Sequence, residues 1–147
     1  MIDADMLFTI CNRFVLPAWL LLLVLPRWEW TNKIIFHAWI PMLLGVAYIY
    51  AMTNAMPFPE GGGFSSLQQV MTAFTAPWLV VAGWIHYLAF DLFVGAWITR
   101  DSQRRSINHL LVVPCLLLTF LAGPVGFLLY AIIRYALRKT GTTVETS

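Results

Sequence analysis

Charge is what this sequence has least of. Lys, Arg, Asp and Glu together make up 11% of its 147 residues, where soluble domains carry about 25%. So few polar side chains cannot cover a chain that is 60% hydrophobic, which excludes a water-soluble globular domain and leaves an integral membrane protein. The formal net charge of +2 is too small to attract nucleic acid. Its positive residues fall in loops and the tail, where they act as topology signals. Cysteine is scarce as well. Cys11 and Cys115 lie inside apolar runs with no redox or metal spacing, so they read as small buried hydrophobes and exclude a disulfide framework. Histidine occurs at positions 37, 86 and 109, in different spans and with no two metal-type ligands sharing a helix face. A bis-histidine haem site is left open by the sequence, though His37 and His109 both lie near the loop side and His86 deeper. No metal and no cofactor is expected. The opening MIDADMLFTICNRF has acids and no basic run before its apolar stretch, which makes a poor secretory signal.

What the chain does have is apolar length. It is expected to be an all-α integral membrane protein with four transmembrane helices, forming one domain over 1–139 with a disordered polar tail over 140–147. The first span runs from about Met6 to Pro26 and contains Asn12 and Arg13. Starting it after Arg13 would leave Phe14 to Pro26, too short to cross. Either both residues lie within the membrane, or the helix starts at an interface and Arg13 snorkels to it. Pro17 frees the Arg13 carbonyl. The second span runs from about Lys33 to Asn54. Trp28, Trp30 and Trp39 anchor its start with His37 in the same layer, and Pro41 is predicted to kink it.

The segment 55–76 breaks the pattern. PFPEGGG over 57–63 is a turn, and Ser66 precedes Gln69 by three residues, as in a capping box. Leu67, Val70, Met71 and Phe74 then form an apolar stripe about ten residues long, which predicts a short interfacial or re-entrant amphipathic helix. It reads as a membrane-surface anchor or as a lid over a lateral entrance for a lipid-like ligand. The third span runs from Pro77 to Asp101. The fourth runs from about His109 to Ile133 and is closed by Arg134, Arg138 and Lys139. Four crossings place both termini on one side. Arg27, Lys33, Arg100, Arg104 and Arg105 on the other side outnumber Arg134, Arg138 and Lys139, which tilts both termini outside.

His86 and Asp91 sit near the middle of the third span. Ionisable residues at that depth are functional-site candidates by default. At about 1.5 Å per residue, Arg13, His86 and the segment 123–126 share one layer, with Tyr48 and Tyr50 close to it. Trp84, Tyr87 and Asp91 share a helix face, whereas His86 and Asp91 are roughly 140° apart. Asp91 is therefore expected to pair with Arg13 or with a tyrosine of another span. Gly83 allows a neighbouring helix to approach. Pro124 cannot donate to the Phe120 carbonyl, and Gly123 and Gly126 let backbone or a flat ligand come close. These last residues read either as a kink with a small-residue packing contact or as part of a ligand cavity. Candidate binding residues are Asn12, Tyr48, Trp84, Tyr87, Gly123, Pro124 and Gly126.

The run His86-Tyr87-Leu88-Ala89-Phe90-Asp91-Leu92-Phe93-Val94-Gly95, with Trp97, Arg100-Asp101, Leu121-Ala122-Gly123-Pro124-Val125-Gly126 and Leu128-Leu129-Tyr130, resembles the abscisic-acid-deficient-4-like family over nearly the whole chain. That resemblance implies a bundle of this kind. It also implies a chemistry associated with the family's plant member, conversion of the epoxy-carotenoid violaxanthin to an allenic product in plastid membranes. A chain this short without a transit-peptide pattern reads as a bacterial member in the inner membrane. The implied reaction is an isomerisation. The epoxide oxygen gains a proton and a carbon loses one, so an acid and a base are needed in a dry, lipid-accessible cavity without a cofactor. His86 would transfer the proton, Asp91 would act as base or hold its partner's charge, and Arg13 would stabilise the developing oxyanion. The expected partners are the lipid bilayer and an apolar small molecule such as a carotenoid or isoprenoid, with a homo-oligomer left open. The competing expectation is a non-enzymatic membrane protein that binds a lipid, pigment or partner helix. A proton-coupled transporter is a third, weakened by the small size.

Overall fold

A computed structural model describes residues 2–137, and over them the chain is all helical. The tail expectation for 140–147, and the cations Arg138 and Lys139, lie outside the described residues. Helix α1 spans Ala4–Val24. Asp3 caps its start by accepting from the Met6 N–H at 2.8 Å, which satisfies one of the first-turn donors that a helix leaves orphaned. A short α2, Glu29–Thr31, leads through a wider π-turn at Asn32–Phe36 into α3, Trp39–Asn54. The predicted kink is here, at His37 and Ala38. Pro41 has no N–H for the His37 carbonyl four residues back. Ala38 takes a positive φ of 59°, and the His37 Nδ1–H bonds to the Asn32 carbonyl at 2.9 Å.

Helix α4 is Leu67–Ala73, seated where the capping pair predicts it. Ser66 Oγ accepts from the Gln69 N–H at 3.2 Å. It is shorter than the expected stripe, and two members of that stripe are left uncovered by protein. Leu67 is 77% and Met71 59% exposed, while Ala73, off the stripe, is fully buried. Helix α5 is Pro77–Arg104.

The expected fourth span is corrected. In its place stand two helices, α6 at His109–Ala122 and α7 at Pro124–Ala136, which pack on each other. At 14 and 13 residues each is too short to cross about 30 Å of hydrocarbon. Among the described residues, three stretches are long and apolar enough to span: Ala4–Val24, Glu29–Asn54 and Pro77–Arg104. Pro124 sits in the first turn of α7, where its missing N–H costs nothing. The Phe120 carbonyl is then one of the last carbonyls of α6, not a gap in the middle of a helix. Gly123, at φ 25° and ψ −86°, makes the turn in a conformation that side-chain-bearing residues avoid.

Contacts divide the chain into two units, with the division cutting through α1, α3 and α5. The first comprises Met1–Val15 and Ile40–Ala89. Leu7, Cys11, Val15, Leu44, Leu79 and Ile85 are buried in it, and Ala55, Ala73 and Leu79 form a further cluster under Met52, Phe58 and Trp78. The second comprises Leu16–Trp39 and Phe90–Ser147, with Trp19, Leu22, Leu92, Ile98, Val112, Leu116 and Tyr130 buried. Outside these cores large apolar side chains stand uncovered, such as Val46 at 66% and Leu121 at 70% exposed. Apolar surface of that extent requires lipid around it, which agrees with the composition.

Candidate functional site

In the first unit, aromatic rings gather about Trp84, and one lies beside His86. Asn12 is half-buried on α1. Its Nδ2 donates to the Phe8 carbonyl at 2.9 Å, which leaves its Oδ1 to accept from Trp84 Nε1 at 3.0 Å. The polar residue that looked misplaced in the first span thus braces a tryptophan of α5. The Trp84 ring lies 5.6 Å from Phe8 and 5.4 Å from Tyr87, centre to centre. Two residues further along, and therefore on the opposite side of the helix from Trp84, the His86 ring lies 6.1 Å from that of Tyr48. Tyr48 and Tyr87 are half-buried, whereas His86 and Arg13 are exposed. Phe74, just past α4, packs its ring into the notch at Gly83, where a Cβ would lie 2.9 Å from Phe74 Cε1. The close approach expected at Gly83 is therefore made by this ring. An exposed imidazole on an apolar helix can exchange a proton with a molecule arriving from the bilayer, and the Tyr48 ring beside it offers a flat apolar surface.

Asp91 belongs to the second unit and is buried at 9% exposure. Its carboxylate occupies the space a side chain at Gly123 would need, so it lies at the start of α7. That is the electropositive end of the helix, where a carboxylate is favoured. Gly126 is equally committed. A Cβ there would collide with the Cys115 carbonyl and the Thr119 backbone. At Gly126 it is backbone that comes close, and at Gly123 the Asp91 side chain. Pro124 is exposed.

The second unit also contains a polar centre that sequence reasoning missed. Asp101 is 3% exposed, and so is Arg134; Tyr130 is completely buried. The Tyr130 hydroxyl donates to Asp101 Oδ2 at 2.5 Å, with Arg134 Nε at 3.4 Å from the same oxygen. Arg105 Nε donates to Oδ1 at 2.9 Å. The Arg134 guanidinium also lies over the Trp97 ring, 5.8 Å from its centre. Burying a carboxylate is costly unless opposite charge and hydrogen bonds offset the loss of water, and this one has both. The Asp101–Arg105 spacing of four was readable on a helix. Arg134 was not, because a straight fourth span places it at the opposite face of the membrane. Among the described residues, no three His, Cys, Asp or Glu side chains converge as a metal site would require.

A family model described as ABA DEFICIENT 4-like matches residues 6–130. The protein ABA DEFICIENT 4, chloroplastic, of Arabidopsis thaliana is 28% identical over 112 residues, which cover 71% of this chain and 51% of that protein. The chain thus spans about half the length of the curated relative it matches, 51%. No solved structure matches.

Proposed function

The chain belongs to the ABA DEFICIENT 4-like family, and from that premise we propose that it is a membrane-embedded, cofactor-independent isomerase acting on a carotenoid or related isoprenoid, in the manner of a neoxanthin synthase. The observation that carries the reading is the placement of His86. It is exposed on an apolar helix, nine residues after the start of α5, with the Tyr48 ring beside it. A hydrophobic substrate confined to the bilayer reaches such a residue by lateral diffusion.

In an epoxide-to-allenic-alcohol isomerisation the ring oxygen takes a proton as its C–O bond breaks, and a carbon gives one up as the new double bond forms. No atom is gained or lost. His86 acts as the proton-transfer group, since an imidazole both donates and accepts near neutral pH. Arg13, exposed on α1, supplies positive charge for the oxygen as the C–O bond opens.

Pigment and lipid chromatography of membranes from a carotenoid-producing host tests this, with and without the protein. A new isomer is expected with the unmodified chain and is expected to vanish with His86→Ala, while the variant still inserts in the membrane. Product retained in His86→Ala removes His86 from the chemistry.

The filled space at Gly123 and Gly126 favours a second reading, in which the polar groups specify packing and the chain binds a lipid, pigment or partner helix without turnover. Asp91→Asn would then lower stability in detergent and leave every metabolite unchanged.

A further inference from the structure

The region 110–133 is almost wholly apolar and is long enough to cross a bilayer as one straight helix. The structure does something else with it. At about 1.5 Å per residue, α6 and α7 are each roughly 20 Å long, too short for a hydrocarbon core of about 30 Å. They are also folded back. Gly126 abuts Cys115 and Thr119 of α6, which in a continuous helix would lie roughly 16 Å and 10 Å away along the axis.

The contacts with α5 give the direction of the return. Asp91 meets Gly123 at the turn. Further along, Trp97 lies 5.7 Å from Phe127 and 5.9 Å from Tyr130, ring centre to ring centre. Asp101 then meets Tyr130 and Arg134. As α5 advances from 91 to 101, α7 advances beside it from 123 to 134, so the two run parallel. The entry point of α6 is fixed at the end where α1 finishes. His109 Nε2 bonds to the Leu23 carbonyl at 2.9 Å, and Gln103 Nε2 donates to the Pro26 carbonyl at 2.7 Å. The end of α1, the end of α5, the start of α6 and the end of α7 therefore share one face.

We propose that α6–α7 is a re-entrant hairpin that enters and leaves the membrane on the same face, so that the chain crosses three times and its two ends lie on opposite sides. Two carboxylates of α5 hold the hairpin. Asp91 stands at the electropositive start of α7, and Asp101 clasps its far end through Tyr130 and Arg134. Irregular backbone at membrane depth is tolerated only where protein encloses it, and Gly123 is buried. The fold-back also changes the charge comparison. Arg27, Lys33, Arg100, Arg104, Arg105 and now Arg134 belong to the face where α5 ends, so that face is cytoplasmic and the N-terminus lies across the membrane. This reverses the sequence expectation that both termini lie outside together. It does not depend on the proposed chemistry.

The test uses single cysteines at exposed positions near the two ends, Ile2→Cys and Leu137→Cys, with a third, Leu121→Cys, beside the turn. Native Cys11 and Cys115 are buried, so the background is low. Full-length variants in right-side-out and inverted membrane vesicles are treated with a membrane-impermeant maleimide. Ile2→Cys is expected to label only in right-side-out vesicles and Leu137→Cys only in inverted ones. Leu121→Cys is expected to react in neither, yet to react with a membrane-permeant maleimide. Labelling of Ile2→Cys and Leu137→Cys from the same side overturns the hairpin. Labelling from opposite sides in the reverse sense overturns the orientation.

Discussion

Gly95 shows how one missing side chain organises its surroundings. It lies on α5 in the same run as His86 and Asp91, and a Cβ there would meet the Trp19 ring at 2.8 Å and Leu22 Cδ1 at 3.5 Å. Trp19 is 3% exposed and rests its ring edge-on to Phe120 at 5.4 Å, so it has nowhere to move. Gly95→Ala is therefore expected to lower stability by about 1–3 kcal/mol, the usual cost of overpacking. Gly45, also within a helix, has nothing within 4 Å of the corresponding position. Gly45→Ala is expected to be neutral or to stabilise by up to about 1 kcal/mol, because alanine favours the helix. Thermal unfolding of both variants in one detergent checks the contrast. Equal losses would mean that helix propensity rather than the Trp19 notch decides at Gly95.

At the scale of elements, the pairing of α5 with α7 depends on Asp101. Tyr130→Phe keeps the ring against Trp97 and removes one buried hydrogen bond to a charged group, about 1.5–3 kcal/mol. Asp101→Ala removes the carboxylate and leaves Arg105 and Arg134 without it, about 3–5 kcal/mol. The expected order of thermal stability is unmodified chain, then Tyr130→Phe, then Asp101→Ala. The reverse order for the two variants would show that the carboxylate is a burden that its partners do not offset. At α4 the cap is the element's main local support. Ser66→Ala is expected to cost about 0.5–2 kcal/mol, read as earlier proteolysis within 60–76 with the rest of the chain protected.

For the whole molecule, the two compact units share unbroken helices. Both α1 and α5 begin in one and end in the other. Cys11, 3% exposed, reports on the first unit and Cys115, fully buried, on the second. Because neither α1 nor α5 can unravel in one unit alone without exposing backbone in the other, both thiols are expected to become reactive in a single transition as denaturant is raised in detergent. Mass-resolved maleimide labelling follows each cysteine separately. Two well-separated midpoints would mean that the units unfold independently.

Composition alone determined that this is a membrane protein, because burial of apolar surface is additive and needs no knowledge of which residues meet. Local signals were equally legible. The Ser66–Gln69 pair located α4, Pro41 located the break at His37–Ala38, and the run from His86 to Gly95 identified the family. Each depends on residues within a turn or two of one another. The fold-back at Gly123 was decided only in three dimensions. Length and hydropathy are the same for one spanning helix as for two half-length helices in a hairpin. What separates them is contact between positions far apart in the chain, with Gly126 against Cys115 and Tyr130 against Asp101. The role of Asp91 follows the same rule. Its depth could be counted from the helix start, but its neighbour Gly123 depends on which way α7 runs.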